Sequence, residues 1–160
     1  MLAAVTGYEV SVFLHVAAVV VGLGATFAES VMFPVAMKLD RRHLPYLHAL
    51  QLAINRWLAL PAAGVILLTG FFQVADGNWS LGEFWISATI GIVIVLVLLN
   101  VLYFIPADRR LKPMVERELE SGGDLSEEYQ RRARAEGMMG AFAGVLVLVA
   151  IFLMVTKPGA

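Results

Sequence analysis

The sequence predicts an all-α fold, a polytopic four-helix transmembrane bundle, and two observations carry that prediction. The composition is strongly apolar, with 59% hydrophobic residues, 16% charged residues and a mean hydropathy of +0.78. The charges are also segregated, because four stretches contain none at all: residues 10–28, 57–75, 84–107 and 137–156. About 20 apolar residues is the length that a helix needs to cross the hydrocarbon core of a bilayer. The pattern excludes a soluble globular domain, a disulfide-rich secreted scaffold and a disordered tail.

The four stretches define the expected elements in order. We predict a single membrane domain covering residues 1–160, with spans at about 8–33, 48–74, 83–105 and 135–156. Pro34 is expected to end or kink the first helix, and Pro106 is expected to end the third, because proline removes a helical hydrogen bond.

The connection between the third and fourth spans, residues 107–136, is charged and amphipathic. Pro113 is expected to open a short helix there, and Gly122-Gly123 to break it. Asp124 or Ser126 then caps the helix that leads into the fourth span. We interpret this connection as a solvated cytoplasmic segment whose basic residues contact lipid head groups, with partner docking as the alternative.

The basic residues set the expected orientation. Of the twelve Lys and Arg residues, ten lie in the two segments 38–42 and 109–134, and the connection 76–83 has none. Because basic connections stay in the cytoplasm, both termini are expected outside it. The sequence therefore predicts a multi-pass membrane protein with both termini outside the cytoplasm.

Small and polar residues mark the helix faces that are expected to meet at the centre of the bundle. On the first helix they are Ser11, His15, Ala18, Gly22, Thr26 and Glu29, and on the second Asn55, Ala59, Ala62, Ile66, Thr69 and Gln73. The fourth helix carries Gly140 and Gly144 in GxxxG spacing, which we interpret as a site of close helix packing.

His15 is the most informative single residue, because an ionisable group inside a span is a functional-site hypothesis by default. Three interpretations stay open. The imidazole is neutral and bonded to a carbonyl or hydroxyl group of a neighbouring helix, or it ligates haem or a metal, or it relays protons or contacts a quinone.

Two further charged side chains enter the spans near the cytoplasmic boundary. Glu29 lies on the same stripe as His15, and Arg56 enters the second helix at a comparable depth. A buried carboxylate without a partner is costly, so we predict a structural Glu29–Arg56 pair. His43 and His48 lie in or beside the cytoplasmic connection, too far from His15 for two histidines of one chain to ligate a haem together.

The sequence shows no motif for hydrolysis or phosphoryl transfer. It has no P-loop, no Ser–His–Asp arrangement and no paired metal-binding carboxylates. It also has no cysteine, which excludes disulfides, thiolate metal sites, iron–sulfur ligation and covalently attached haem.

Four short motifs carry a resemblance to known proteins. They are Leu14-His15-Val16 with Gly22 and Gly24, the segment 60–70, the exit Pro106…Arg109-Arg110, and the ending 153–159. Together they resemble an uncharacterised family of bacterial four-helix integral membrane proteins. That family is similar in layout to the copper-resistance D domain and to HemJ-type protoporphyrinogen oxidase.

The resemblance implies a haem b associated with the first-helix histidine, which His15 matches, and a lysine in the third helix. The third helix has no Lys or His in its core, from Phe84 to Thr89. Three functions therefore follow from the sequence. The first is an accessory or assembly protein that packs with a membrane partner or as a homo-oligomer. The second is a haem-b-binding redox protein, and the third is a copper or small-solute permease.

Overall fold

The computed structural model describes residues 5–122 and 124–159, and these residues form four long helices. The first is α1, Gly7–Ala36. The second long helix has four consecutive parts. It begins with a 3₁₀ turn (Arg41–His43) and α2 (Leu44–Ile54), and it continues through a π-helical turn (Asn55–Ala59) into α3 (Leu60–Asp76). The third long helix consists of α4 (Phe84–Leu99), a π-helical turn (Asn100–Phe104) and α5 (Ile105–Glu120). The fourth is α6 (Glu127–Thr156).

Each of the four long helices is long and apolar enough to cross a membrane, and the described ranges contain no β-strand. The predicted all-helical fold with four candidate spans is therefore confirmed. We call the end of the bundle where α1 ends and α6 begins the basic end, since the basic segments 38–42 and 109–134 lie there.

Side-chain caps explain where the first and last helices begin. Thr6 accepts a hydrogen bond from the backbone N–H of Glu9, whose carboxylate accepts in return from the N–H of Thr6. This reciprocal capping box satisfies two amide groups that the first turn leaves free. The side chain of Ser126 caps α6 by accepting a hydrogen bond from the backbone N–H of Tyr129. Ser126 was one of the two residues predicted to cap this helix.

Two matching π-helical turns precede two prolines. The backbone N–H of Leu60 donates to the carbonyl of Asn55, five residues back, and Pro61 follows. Ile105 likewise donates to the carbonyl of Asn100, and Pro106 follows. A wider turn of this kind accommodates the missing N–H and the bulk of the proline ring without ending the helix.

The π-helical turn corrects the prediction for Pro106, which does not end the third helix. The chain continues as α5 through Pro113 to Glu120, so Pro113 lies inside a helix and does not open a new one. The break comes at Gly122, where the backbone adopts a positive φ of 70°. Most of the connection 107–136 is therefore helical.

The first and second long helices pack along the two predicted stripes. Ala18 and Gly22 of α1 are buried against Ala62 and Ile66 of α3. At the closest approach, a Cβ atom added at Gly22 would lie 2.6 Å from the Cβ of Ala62. This close approach confirms that the small residues of both helices face one another.

The other contacts alternate between the two ends of the bundle. At the basic end α2 packs against α5, around a core that includes Leu47, Leu111 and Val115. Away from that end α4 packs against α6, around Trp85, Ile86 and Leu153. Large apolar side chains cover the outer surface, among them Phe13, Val20, Leu68, Leu102 and Phe152. That surface is suited to lipid contact.

Candidate functional site

A cavity of about 980 Å³ lies between the pair of α1 and α3 and the pair of α4 and α6. All four long helices contribute to its wall, which is mostly apolar, with contributors such as Val19, Leu67, Val93 and Val147. Its volume falls within the usual range for small-molecule sites, about 300–1,000 Å³. The cavity is therefore the leading candidate for a functional site.

Glycines on α6 give the cavity part of its width. Gly137 and Gly140 line it, and a Cβ atom added at either position would meet no atom within 4 Å. Gly144 would meet one atom of Phe27, at the ordinary distance of 3.8 Å. The GxxxG spacing was interpreted as close helix packing, but Gly140 faces open space and Gly144 meets only a side-chain atom at ordinary contact distance, so neither glycine is a point of unusually close helix approach.

His15 projects from α1 toward α3 and lines the cavity. Its Nδ1 lies 2.9 Å from the hydroxyl of Thr69, and that hydroxyl donates to the carbonyl of Val65 at 2.6 Å. Since the Thr69 proton is engaged, Nδ1–H of His15 is the donor of the pair. This tautomer leaves a lone pair on Nε2, which makes no hydrogen bond with any described residue.

Neighbouring polar groups continue the contact between α1 and α3. The hydroxyl of Ser11 donates to the carbonyl of Thr69 at 3.3 Å, and the amide of Gln73 donates to Ser11 at 3.3 Å. Of the polar residues on the predicted stripe of α1, Ser11 and His15 form hydrogen bonds to α3. The hydroxyl of Thr26 donates to the carbonyl of Gly22 within α1, and Glu29 forms no hydrogen bond to α3.

Glu29 and Arg56 are not brought together, so the structure contradicts the predicted pair. Glu29 lines the cavity, and its buried Oε1 has no hydrogen-bond partner among the described residues. Arg56 is exposed, with its guanidinium 5.6 Å from the ring centre of Trp57. It follows Asn55 by one residue, which rotates it about 100° away from the buried face of the helix.

Asn55 and Asn100 join the two π-helical turns across the bundle. The side-chain amide of Asn100 donates to the side-chain oxygen of Asn55 at 2.8 Å, and both residues are buried and line the cavity. Buried Gln51 lies one turn before Asn55 on the same wall. These three side-chain amides give the cavity wall a polar region toward the basic end.

A second buried polar cluster, which the sequence analysis missed, lies at the basic end. His48 of α2 is fully buried, with Nδ1 3.1 Å from Oδ1 of Asp108 and Nε2 3.0 Å from the hydroxyl of Tyr129. Glu136 completes the set, and one ligating atom from each of His48, Asp108 and Glu136 lies within 4.8 Å of the others. The sequence analysis found no paired metal-binding carboxylates, and the fold brings two buried carboxyl groups together beside a histidine.

A signal for this cluster does exist in the sequence. Asp108 is three residues before Leu111 and seven before Val115, which places the carboxylate on the apolar stripe of α5. Glu136 shares the stripe of Tyr129 and Ala133 on α6 in the same way. A charged residue on the apolar side of an amphipathic helix marks a buried polar site.

The end of the cavity opposite the basic end is lined by aromatic residues. The rings of Trp79 and Trp85 meet edge to face at 5.4 Å, and Nζ of Lys157 lies 4.7 Å and 5.4 Å from their ring centres. All three residues line the cavity. A tryptophan pair with a lysine is typical of a membrane–water boundary.

The comparison with known proteins agrees with the helical architecture. A family model described as "predicted integral membrane protein (DUF2269)" matches residues 9–158. The chain belongs to this family. It is thus an integral membrane protein with four apolar helices. No curated protein and no solved structure gives a significant match to the chain.

Proposed function

We propose that this protein is a non-catalytic accessory protein of the bacterial inner membrane that holds one small, mostly apolar molecule between its helices. The single observation that carries the proposal is the cavity of about 980 Å³, which all four long helices line. A packed helix bundle leaves few voids larger than a water molecule, so we expect a cavity of this size to hold a bound molecule.

The wall of the cavity indicates the chemistry of that occupant. Apolar side chains form most of the surface, whereas Gln51, Asn55, Asn100 and Glu136 form a polar region toward the basic end. Oδ1 of Asn100 and Oε1 of Gln51 are buried and unpartnered among the described residues. Buried acceptors of this kind are stabilised by a donor group, so the expected ligand has an apolar body and a hydrogen-bond donor at one end.

The proposal predicts that filling the cavity expels the ligand. Gly140→Leu places a side chain in open space inside the cavity, where it competes directly with the bound molecule. We expect its occupancy to fall at least about tenfold, because one extra group in an apolar pocket costs that much. Native mass spectrometry of the detergent-extracted protein, followed by extraction of the bound molecule, measures the occupancy.

Gly24→Leu is the matched control. Gly24 lies in a span and has no atom within 4 Å of an added Cβ, but it is exposed and does not line the cavity. The control protein should keep the ligand at the wild-type level. The proposal fails when wild type carries only detergent, or when Gly140→Leu retains the ligand as fully as Gly24→Leu does.

Haem b is the second candidate for the occupant, and the geometry of His15 favours it. Thr69 holds Nδ1 of His15, which leaves Nε2 as an unprotonated lone pair beside the cavity. Metal-ligating histidines are held in this way by a hydrogen bond at the other ring nitrogen. A single histidine ligates the iron in several haem proteins.

Haem binding predicts a coloured protein whose colour depends on His15. The purified protein should show a Soret band that His15→Ala abolishes and that His43→Ala, at an exposed histidine, leaves intact. A colourless preparation after expression with ample haem would eliminate this candidate and leave the broader ligand proposal standing.

A further inference from the structure

The cluster of His48, Asp108, Tyr129 and Glu136 lies at the basic end, and among its four residues only Glu136 also lines the cavity of the proposed ligand. Three elements supply it: α2 provides His48, α5 provides Asp108, and α6 provides Tyr129 and Glu136. All four residues are buried, with at most 6% of each exposed. Apolar side chains of the basic-end core pack beside them, including Leu44, Leu47, Leu111 and Ala133.

Two carboxyl groups of this cluster are buried together, each with one oxygen that lacks a partner in the described part of the chain. Oδ2 of Asp108 and Oε2 of Glu136 are buried and have no hydrogen-bond partner among the described residues. No Lys or Arg nitrogen of the described chain lies within 4.0 Å of either carboxylate. Two ionised carboxylates buried without a cation are strongly unfavourable, so either protons or a bound cation must neutralise them.

The side chains also converge closely enough that a small side-chain rotation would bring them around one ion. One atom from each of His48, Asp108 and Glu136 lies within 4.8 Å of the other two. Nδ1 of His48 and Oδ1 of Asp108 are 3.1 Å apart, which is close to the separation of two ligands held about 2.1 Å from one ion. An imidazole nitrogen and two carboxylates are ligands that divalent zinc, iron and manganese accept.

Tyr129 holds the ring of His48 in place for ligation. In the 3.1 Å contact, Nδ1–H of His48 donates to Oδ1 of Asp108, and the Tyr129 hydroxyl donates to Nε2. A bound metal ion would displace the proton from Nδ1, and Nε2–H would then donate to the Tyr129 hydroxyl oxygen, 3.0 Å away. A hydrogen bond at the far nitrogen orients most metal-ligating histidines in this manner. Tyr129 is thus a positioning residue for this cluster.

We propose that Nδ1 of His48 and the carboxylates of Asp108 and Glu136 bind one divalent first-row transition-metal ion. Three protein ligands leave further coordination positions open for water or another donor. Glu136 also lines the central cavity, so the ion can reach the site through it. Glu29 lines the same cavity and adds negative charge along that route.

Zinc binding to the full-length protein tests the proposal. The protein is freed of its purification tag, stripped with a chelator and dialysed against buffered Zn²⁺, and bound zinc is counted by mass spectrometry. Wild type should bind one Zn²⁺ per chain. Glu136→Gln and Asp108→Asn each remove a charged ligand and should weaken binding by more than about 100-fold. Tyr129→Phe keeps all three ligands and should weaken it by about 10–100-fold.

Two controls separate loss of the site from loss of the fold. Glu127→Gln makes the same chemical change at an exposed position on α6, and His43→Asn removes an exposed histidine. Both should bind Zn²⁺ as wild type does. Added Zn²⁺ should raise the melting temperature of wild type and of both controls, but not that of Glu136→Gln.

Two results overturn the inference. One is a wild-type protein that binds no stoichiometric zinc, which would mean that protons alone neutralise the carboxylates. The other is a folded Glu136→Gln protein that binds zinc with wild-type affinity, which would place the ion elsewhere. Neither result bears on the apolar ligand, whose test uses different residues.

Discussion

Replacing Gly22 with alanine should destabilise the bundle by about 1–3 kcal/mol, the usual cost of forcing an extra group into a packed core. The new Cβ would lie 2.6 Å from the Cβ of Ala62, closer than two carbon atoms can approach. Because Ala62 has no flexible side chain to move aside, α1 and α3 must separate. Unfolding of the detergent-solubilised protein measures the loss of free energy.

The partner position provides a rescue and a neighbouring glycine provides a control. The double variant Gly22→Ala with Ala62→Gly moves one methyl group from α3 to α1, so it should recover most of the lost stability. Gly24→Ala meets no atom within 4 Å and should change little. Equal stability of Gly22→Ala and Gly24→Ala would show that the two helices do not meet at this point.

The sequence was sufficient to predict this helix contact, and the reason is physical. In lipid, apolar surface does not distinguish one helix face from another, so small and polar residues mark the contacts. Gly22 and Ala62 both belong to such stripes, and both are buried where the stripes meet. The structure places Nδ1 of His15 beside the Thr69 hydroxyl, a contact that one of the three open interpretations expected, and the role of His15 stays a prediction.

The rule that proline ends a helix failed where a π-helical turn precedes the proline. Pro106 was expected to end the third helix, but the π-helical turn before it lets the helix continue into α5. Pro61 follows a matching turn on the second helix. In both places an asparagine stands six residues before the proline, and the two asparagines bond to each other. That pairing becomes visible only when the two helices are placed side by side.

The charged residues show a second limit of sequence reasoning. Depth along a span suggested a pair between Glu29 and Arg56, but depth does not fix the direction in which each side chain points. Asp108 was assigned to a solvated connection, yet it is buried and bonded to His48, sixty residues earlier in the chain. Contacts of this range depend on how α2 and α5 pack, which no local pattern determines.

The GxxxG spacing on α6 illustrates a different problem. Glycine allows another helix to approach closely, but it equally allows a cavity to widen, and the two uses share one sequence pattern. Gly140 of this motif serves the second use, since no described atom lies within 4 Å of an added Cβ, whereas an added Cβ at Gly144 would contact Phe27. The cavity follows from the arrangement of all four long helices.

Single-cysteine labelling tests most directly the central claim that four helices cross the bilayer around this cavity. The native chain has no cysteine, so each introduced thiol is the only target. Three exposed positions report on successive connections: Leu39→Cys after α1, Ser80→Cys between α3 and α4, and Ser121→Cys between α5 and α6.

With a membrane-impermeant maleimide on intact spheroplasts, we predict complete labelling at position 80. Positions 39 and 121 should react only after the membrane is permeabilised, because the basic connections face the cytoplasm. Labelling of positions 80 and 121 from the same side would contradict the account, since the third long helix would then not cross the membrane.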